Sequence, residues 1–158
     1  MLPDHLRSGT DAAVSMPAEA APKDEKPSFF FGMMGTPFQS ETTTSLFRMV
    51  EGALCQGHKV TVWNCGHATG LSQSTLVRPR DFLLPKSEPA SNHSTAELIQ
   101  ALFRKHGQDG RLEWLVCRYC MEERGATNQI PEAKVKIPYT FQHYLSAAEV
   151  SLVLGVKS

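Results

Sequence analysis

The chain has 158 residues, and its 16 lysines and arginines balance its 16 aspartates and glutamates, so the formal net charge is zero. That balance leaves no electrostatic footprint for nucleic acid or an anionic membrane, and no apolar run approaches the roughly 18 residues a membrane span needs. The length supports one domain with its own core plus an extension, and the reading is of a soluble protein.

The first 27 residues, "MLPDHLRSGTDAAVSMPAEAAPKDEKP", lack the apolar stretch of a secretory signal. Asp4, Asp11, Glu19, Asp24 and Glu25 argue against a transit peptide. Rich in Ala, Pro and charge and without a sustained period, residues 1–27 read as a disordered extension. A chain that is not exported keeps its four cysteines, Cys55, Cys65, Cys117 and Cys120, in a reducing cytoplasm. Thiols there more often serve reactivity or metal binding than disulfide scaffolding.

The domain proper is expected over residues 28–158. "SFFFGMM" (Ser28 to Met34) has the continuous apolar character of a strand buried on both faces. After the loop "GTPFQSE", Leu46, Met49, Val50, Ala53 and Leu54 fall on one face of a helix that starts near Thr42 and is stopped by Gly57. "HKVTVWN" (His58 to Asn64) reads as the second strand and "CGHATGLSQS" as a turn-rich loop. "TLVRPRDFLLPKSEPASNH", with three prolines, reads as a long loop. Ser94 and Glu97 offer a capping box for a helix ending near Gly107. "RLEWLVC" is a third strand and "RYCMEERG" a short helix. "KVKIPYT" follows as a fourth strand, "FQHYLSAAE" as a helix and "VSLVLGV" as a fifth strand. This alternation predicts an α/β fold, a flavodoxin-like three-layer α/β/α domain with a mainly parallel five-stranded sheet.

In open parallel sheets the crevice lies beyond the carboxyl ends of the strands. Two of the first three loops there begin with cysteine, Cys65 and Cys117. Cys117 is placed at the start of a helix, where free N–H groups favour a thiolate, with Arg118 as a neighbouring cation, so it is the expected nucleophile. Cys120, one turn on, is spaced to pair with it or to attack a sulfur it carries. Cys55 reads as a packing residue on the first helix. His67 is either a proton shuttle or anion holder at the crevice or an uninvolved loop residue. Arg78 and Arg80 read as solvated, and no phosphate-binding glycine motif is present. Two other readings stay open. Cys65, His67, Cys117 and Cys120 supply three thiols and an imidazole for a zinc- or partner-binding module, and Cys117-x-x-Cys120 would suit a dithiol-disulfide redox protein.

The strand ending "LVC" and continuing "CRYCMEERGA", with Arg124 and Gly125 following Cys117, resembles the DsrE/DsrF-like family, including its TusD-type sulfur-relay subunits. "GTPFQSETTTSLFRMVEGALCQGHKVTVW" and "VKIPYTFQHYLSAAEVSLVLG" extend the similarity over the whole chain from Ser28. The resemblance implies a flavodoxin-like fold, homo- or hetero-oligomers, sulfur donor and acceptor proteins as partners, and no cofactor. It places the family's persulfide-bearing cysteine on Cys117. Cys120 and the elaborate "CGHATG" loop depart from the TusD-type pattern. The expectation is a cytoplasmic sulfurtransferase or sulfur carrier, with Cys117 accepting sulfane sulfur, Cys120 resolving or shielding it, and Cys65 and His67 lining the crevice. A strand order of the 2-1-3 kind would hold Cys65 and Cys117 two strand spacings apart, roughly 10 Å. Contact between them would then need the Cys65 loop to fold inward.

Overall fold

A computed structural model describes residues 26–38, 41–79, 83 and 92–155. Most of the expected extension, residues 1–25, and most of the proline-rich loop lie outside the described residues.

Five strands, β1 (Phe29–Met33), β2 (Val60–Asn64), β3 (Leu112–Cys117), β4 (Ala133–Lys136) and β5 (Val150–Leu154), form one sheet in the order β4-β3-β2-β1-β5. Every pairing is parallel. The crossovers through α1 (Thr42–Cys55) and α2 (Thr95–His106) step in one direction, from β1 to β2 to β3. Right-handed connections therefore put both helices on one face. After the short α3 (Arg118–Glu123), the chain must return from the β4 edge to the far side of β1. The same handedness sends α4 (Phe141–Ala147) over the opposite face.

The two faces are unequally filled. Leu46, Val50, Ala53 and Leu54 of α1 and Ala96, Ile99 and Leu102 of α2 are buried against Phe31, Met33, Val62, Trp114 and Val116. The other face holds a small cluster of Phe30, Trp63, Leu115 and Cys117. None of the residues of α4 is fully buried. It contributes Phe141, whose ring stands edge-on to Phe30 and Trp63 at 5.5 Å between centroids in each case.

Helix boundaries follow local chemistry. Gly57, at φ 85°, turns the chain after α1 in a conformation that side chains resist. Ser94 caps α2 in a full capping box. Its hydroxyl accepts the Glu97 N–H at 3.3 Å and the Glu97 carboxylate accepts the Ser94 N–H at 2.8 Å. Arg78 grips the same carboxylate at 2.7 Å and, with the cap, holds it down at about 2.

Three expectations need correction. The fourth strand stops at Lys136 instead of running through Thr140, because Pro138 has no N–H for a ladder and instead opens a 3-10 turn at Pro138–Thr140. "CGHATGLSQS", expected as a turn-rich loop, organises its turns into a 3-10 helix, Gly66–Ser72. The 2-1-3 strand order is also wrong: β2 lies between β1 and β3, with Asn64 in register with Val116. That last correction changes the geometry of the crevice.

Candidate functional site: a cluster of three thiols

Cys65 follows the last paired residue of β2, and Cys117 is the last residue of β3. Because these strands are neighbours, the two cysteines leave the sheet side by side, and no inward fold of the loop is required. The Cys65 N–H is donated to the Met33 carbonyl at 2.9 Å, tying the start of the loop to the end of β1. Gly66 then takes φ 61°, and a Cβ there would stand 3.1 Å from the Gly35 nitrogen, so a side chain would be strained in backbone and crowded where the two loops cross. Gln129 braces the 3-10 helix that follows. It donates to the Thr69 carbonyl at 2.9 Å and accepts from the Ser72 hydroxyl at 2.6 Å.

The helix α3 begins directly after Cys117 and packs on this braced segment, which brings Cys120 back over Cys65. The Cys65 and Cys120 sulfurs are 3.4 Å apart, and all three sulfurs, including that of Cys117, lie within 4.8 Å of one another. Cys117 is 1% exposed, whereas Cys65 and Cys120 are half-buried. The sequence pointed to a pair of thiols with a third in question; the fold assembles three.

Their protonation is unequal. Burial pushes the Cys65 thiol up to about 12, with its hydrogen bond to Cys120 adding to the effect. Burial also pushes Cys117 up, and the Cys120 N–H facing its sulfur offsets this only in part. This runs against the expectation of a thiolate at Cys117, because its sulfur, at the start of the six-residue α3, is packed with Leu115 and Trp63 and loses its hydration. Cys120 is driven the other way. Burial opposes its ionisation, but the Gly66 N–H, the thiols of Cys65 and Cys117 and the Arg124 guanidinium together bring it below the ordinary range. Of the three, Cys120 is the sulfur best able to ionise.

The remaining predicted residues sit apart. Arg118 is turned outward and pairs with Glu122 at 2.7 Å. The cation that acts on the cluster is Arg124, which donates to the Cys120 carbonyl at 3.3 Å. The i, i+4 spacing of Cys120 and Arg124 on a helix was the signal that could have found it. His67 is exposed, and its ring nitrogens are not among the ligand atoms gathered within 4.8 Å. The four-ligand zinc set is therefore reduced to three sulfurs in this geometry. On the residue before Cys120, the exposed ring of Tyr119 meets that of Tyr139 edge-on at 6.3 Å.

This order of acidity predicts an order of labelling. In a pH series with a small alkylating agent, Cys120 should react first and with a midpoint below that of an ordinary cysteine. Cys65 should stay unlabelled until strongly alkaline pH. Peptide mapping by mass spectrometry reads each site, and equal rates at Cys65 and Cys120 near neutral pH would contradict the assignment.

The fold and the site together define an α/β protein with a parallel five-stranded sheet and a thiol cluster at the carboxyl ends of its central strands. The chain belongs to the DsrE/DsrF-like family, whose model matches residues 28–152. Proteins of this family are associated with sulfur relay and act in it with partner proteins. Among solved structures, the fold is similar to that of the ychN protein from E. coli. The TM-score is 0.61 at 13% identity, covering 82% of this chain and 100% of that one. No curated protein matches the sequence. Among the described residues no helix is long and apolar enough to cross a membrane.

Proposed function

We propose that this protein is a sulfur carrier or sulfurtransferase of the TusD-like kind, handling sulfane sulfur on the cluster of Cys65, Cys117 and Cys120. The observation that carries the reading is the gathering of the Cys65, Cys117 and Cys120 sulfurs within 4.8 Å of one another, with half-buried Cys120 lowered in pKa and the other two raised by burial. The Cys120 thiolate attacks the outer sulfur of a donor persulfide, so the donor leaves as a thiolate and Cys120 carries a persulfide. The outer sulfur then passes to Cys117, the position the family resemblance marks as the carrier, and the Cys117 proton goes to the Cys120 sulfur that is released. The sulfane sulfur keeps its oxidation state in both steps. Burial of Cys117 shields it from water and stray thiols. Cys65 sits close enough to Cys120 to attack the inner sulfur of its persulfide, forming a disulfide and expelling the outer sulfur as hydrosulfide, a side reaction its own high pKa restrains.

The partners in this reading are donor and acceptor proteins in the cytoplasm, reached across the exposed Tyr119 and Tyr139 rings, and the protein works as a homo- or hetero-oligomer. Supporting association, Val150, Leu152 and Val153 of the edge strand β5 are exposed. The test of the chemistry is cyanolysis. Protein incubated with a persulfide donor, desalted and treated with cyanide should release about one equivalent of thiocyanate per chain, and protein reduced beforehand should release none. Thiocyanate at background from loaded protein would remove the carrier role.

A second reading rests on the same sulfurs. Three sulfurs within 4.8 Å suit a thiophilic metal ion that displaces their protons on binding. Stoichiometric metal in the purified protein, with loss of stability on chelation, would favour a binding module over a carrier.

A further inference from the structure

At the opposite end of the fold, three ligating side chains that the thiol cluster does not use converge. Cys55 reads from the sequence as a packing residue, but it is exposed at the last position of α1. Its sulfur stands 3.9 Å from Nε2 of His106, the last residue of α2. Glu51 lies one turn before Cys55 on α1, and a Glu51 carboxylate oxygen, the Cys55 sulfur and a His106 ring nitrogen are all within 4.8 Å of one another.

We propose that Glu51, Cys55 and His106 form a second site, a three-ligand centre for zinc or a similar borderline divalent ion, where the C-terminal ends of α1 and α2 meet. In a tetrahedral zinc centre the sulfur and nitrogen ligands are ~3.6 Å apart, given the usual Zn–S and Zn–N bond lengths. The observed 3.9 Å thus needs only a small adjustment. The donor set of one thiolate, one imidazole and one carboxylate matches the mixed S, N and O preference of zinc. Burial fixes the imidazole in place, since His106 is only 8% exposed. Cys55 and Glu51 are exposed, so an ion arrives from solvent and completes its shell with water. The carbonyl ends of two helices converge there with their partial negative charge.

Two cations oppose the site. Lys105 holds Glu51 Oε1 at 2.9 Å, leaving the second carboxylate oxygen for a metal, and Arg111 adds positive charge near His106. These make the affinity modest, in the range of a regulatory or storage site more than a permanent structural one.

The test reads Cys55 separately from the thiol cluster, because cleavage after Arg48 and Lys59 yields a peptide containing Cys55 as its sole cysteine. Full-length reduced protein is alkylated with and without zinc ions, and the rate at Cys55 is followed by mass spectrometry. Zinc should slow Cys55 alkylation at least about tenfold, and a chelator should restore the rate. Glu51→Gln, a surface change that leaves the core untouched, should raise the zinc concentration needed for half-protection by about tenfold or more, and His106→Gln should remove the protection. An unchanged Cys55 rate in wild-type protein would overturn the site. So would protection in Glu51→Gln equal to that of wild type, which would mean that zinc binds without the carboxylate and the three-ligand centre does not exist.

Discussion

Cys120→Ser should slow sulfur uptake from a small persulfide donor at neutral pH by at least about tenfold, and Cys117→Ser should leave uptake fast but its product short-lived. The argument is one of thiolate populations. An ordinary cysteine is a few per cent thiolate at pH 7, and a lowered pKa raises that fraction. Cys65, pushed up to about 12, is thiolate at pH 7 in only about one molecule in 10⁵. Cys117 is pushed in the same direction by burial. Removing Cys120 therefore removes the one sulfur of the three that is lowered and leaves capture to thiols that are rarely ionised. Removing Cys117 leaves that capture step in place but deletes the buried position that holds the sulfur. Stopped-flow or quenched mass spectrometry distinguishes the two. Uptake by Cys120→Ser at the wild-type rate would move the first step back to Cys117.

The second large effect lies beneath the site. Trp63→Ala should cost about 3–5 kcal/mol, as truncation of a fully buried tryptophan does. The face it occupies has little to replace it. Trp63 and Phe30 hold Phe141 edge-on, and Trp63 also meets Tyr144 at 5.8 Å, so Trp63 joins both of these α4 residues to this face. Cys117 belongs to this same small cluster. Urea unfolding should show a lower midpoint, and Cys117 should become open to alkylation under native conditions. A loss below about 1 kcal/mol would mean that α4 contributes little to the packing of this face.

The elements themselves were legible because each carried a local cause. The i, i+3, i+4 apolar spacing from Leu46 to Leu54 gave α1, and Ser94 with Glu97 gave the start of α2. Strand order was not legible. Nothing within "HKVTVWN" says which neighbours it takes, since a strand buried on both faces looks alike in any central position. That uncertainty hid the proximity of Cys65 to the other thiols. The protonation order was hidden for a related reason. The sequence placed Cys117 at a helix start, which lowers a pKa, but its burial beside Trp63 and Leu115 depends on the whole sheet and raises it. Arg118 and Arg124 flank the cysteines, and only helix phase separates the one facing Glu122 from the one acting on Cys120. The pairing of Cys55 with His106 joins residues 51 positions apart on two helices and leaves no trace in either stretch alone.

The central claim is that the three-thiol cluster carries sulfane sulfur, and intact mass under non-reducing conditions tests it most directly. Metal-free protein is incubated with a persulfide donor, freed of excess reagent and weighed, alongside Cys117→Ser and Cys120→Ser. The account predicts that wild-type protein gains the mass of at least one sulfur atom, that reductant removes it, and that Cys117→Ser does not retain it. An unchanged wild-type mass, with the cysteines of the cluster reduced before the donor is added, would contradict the account.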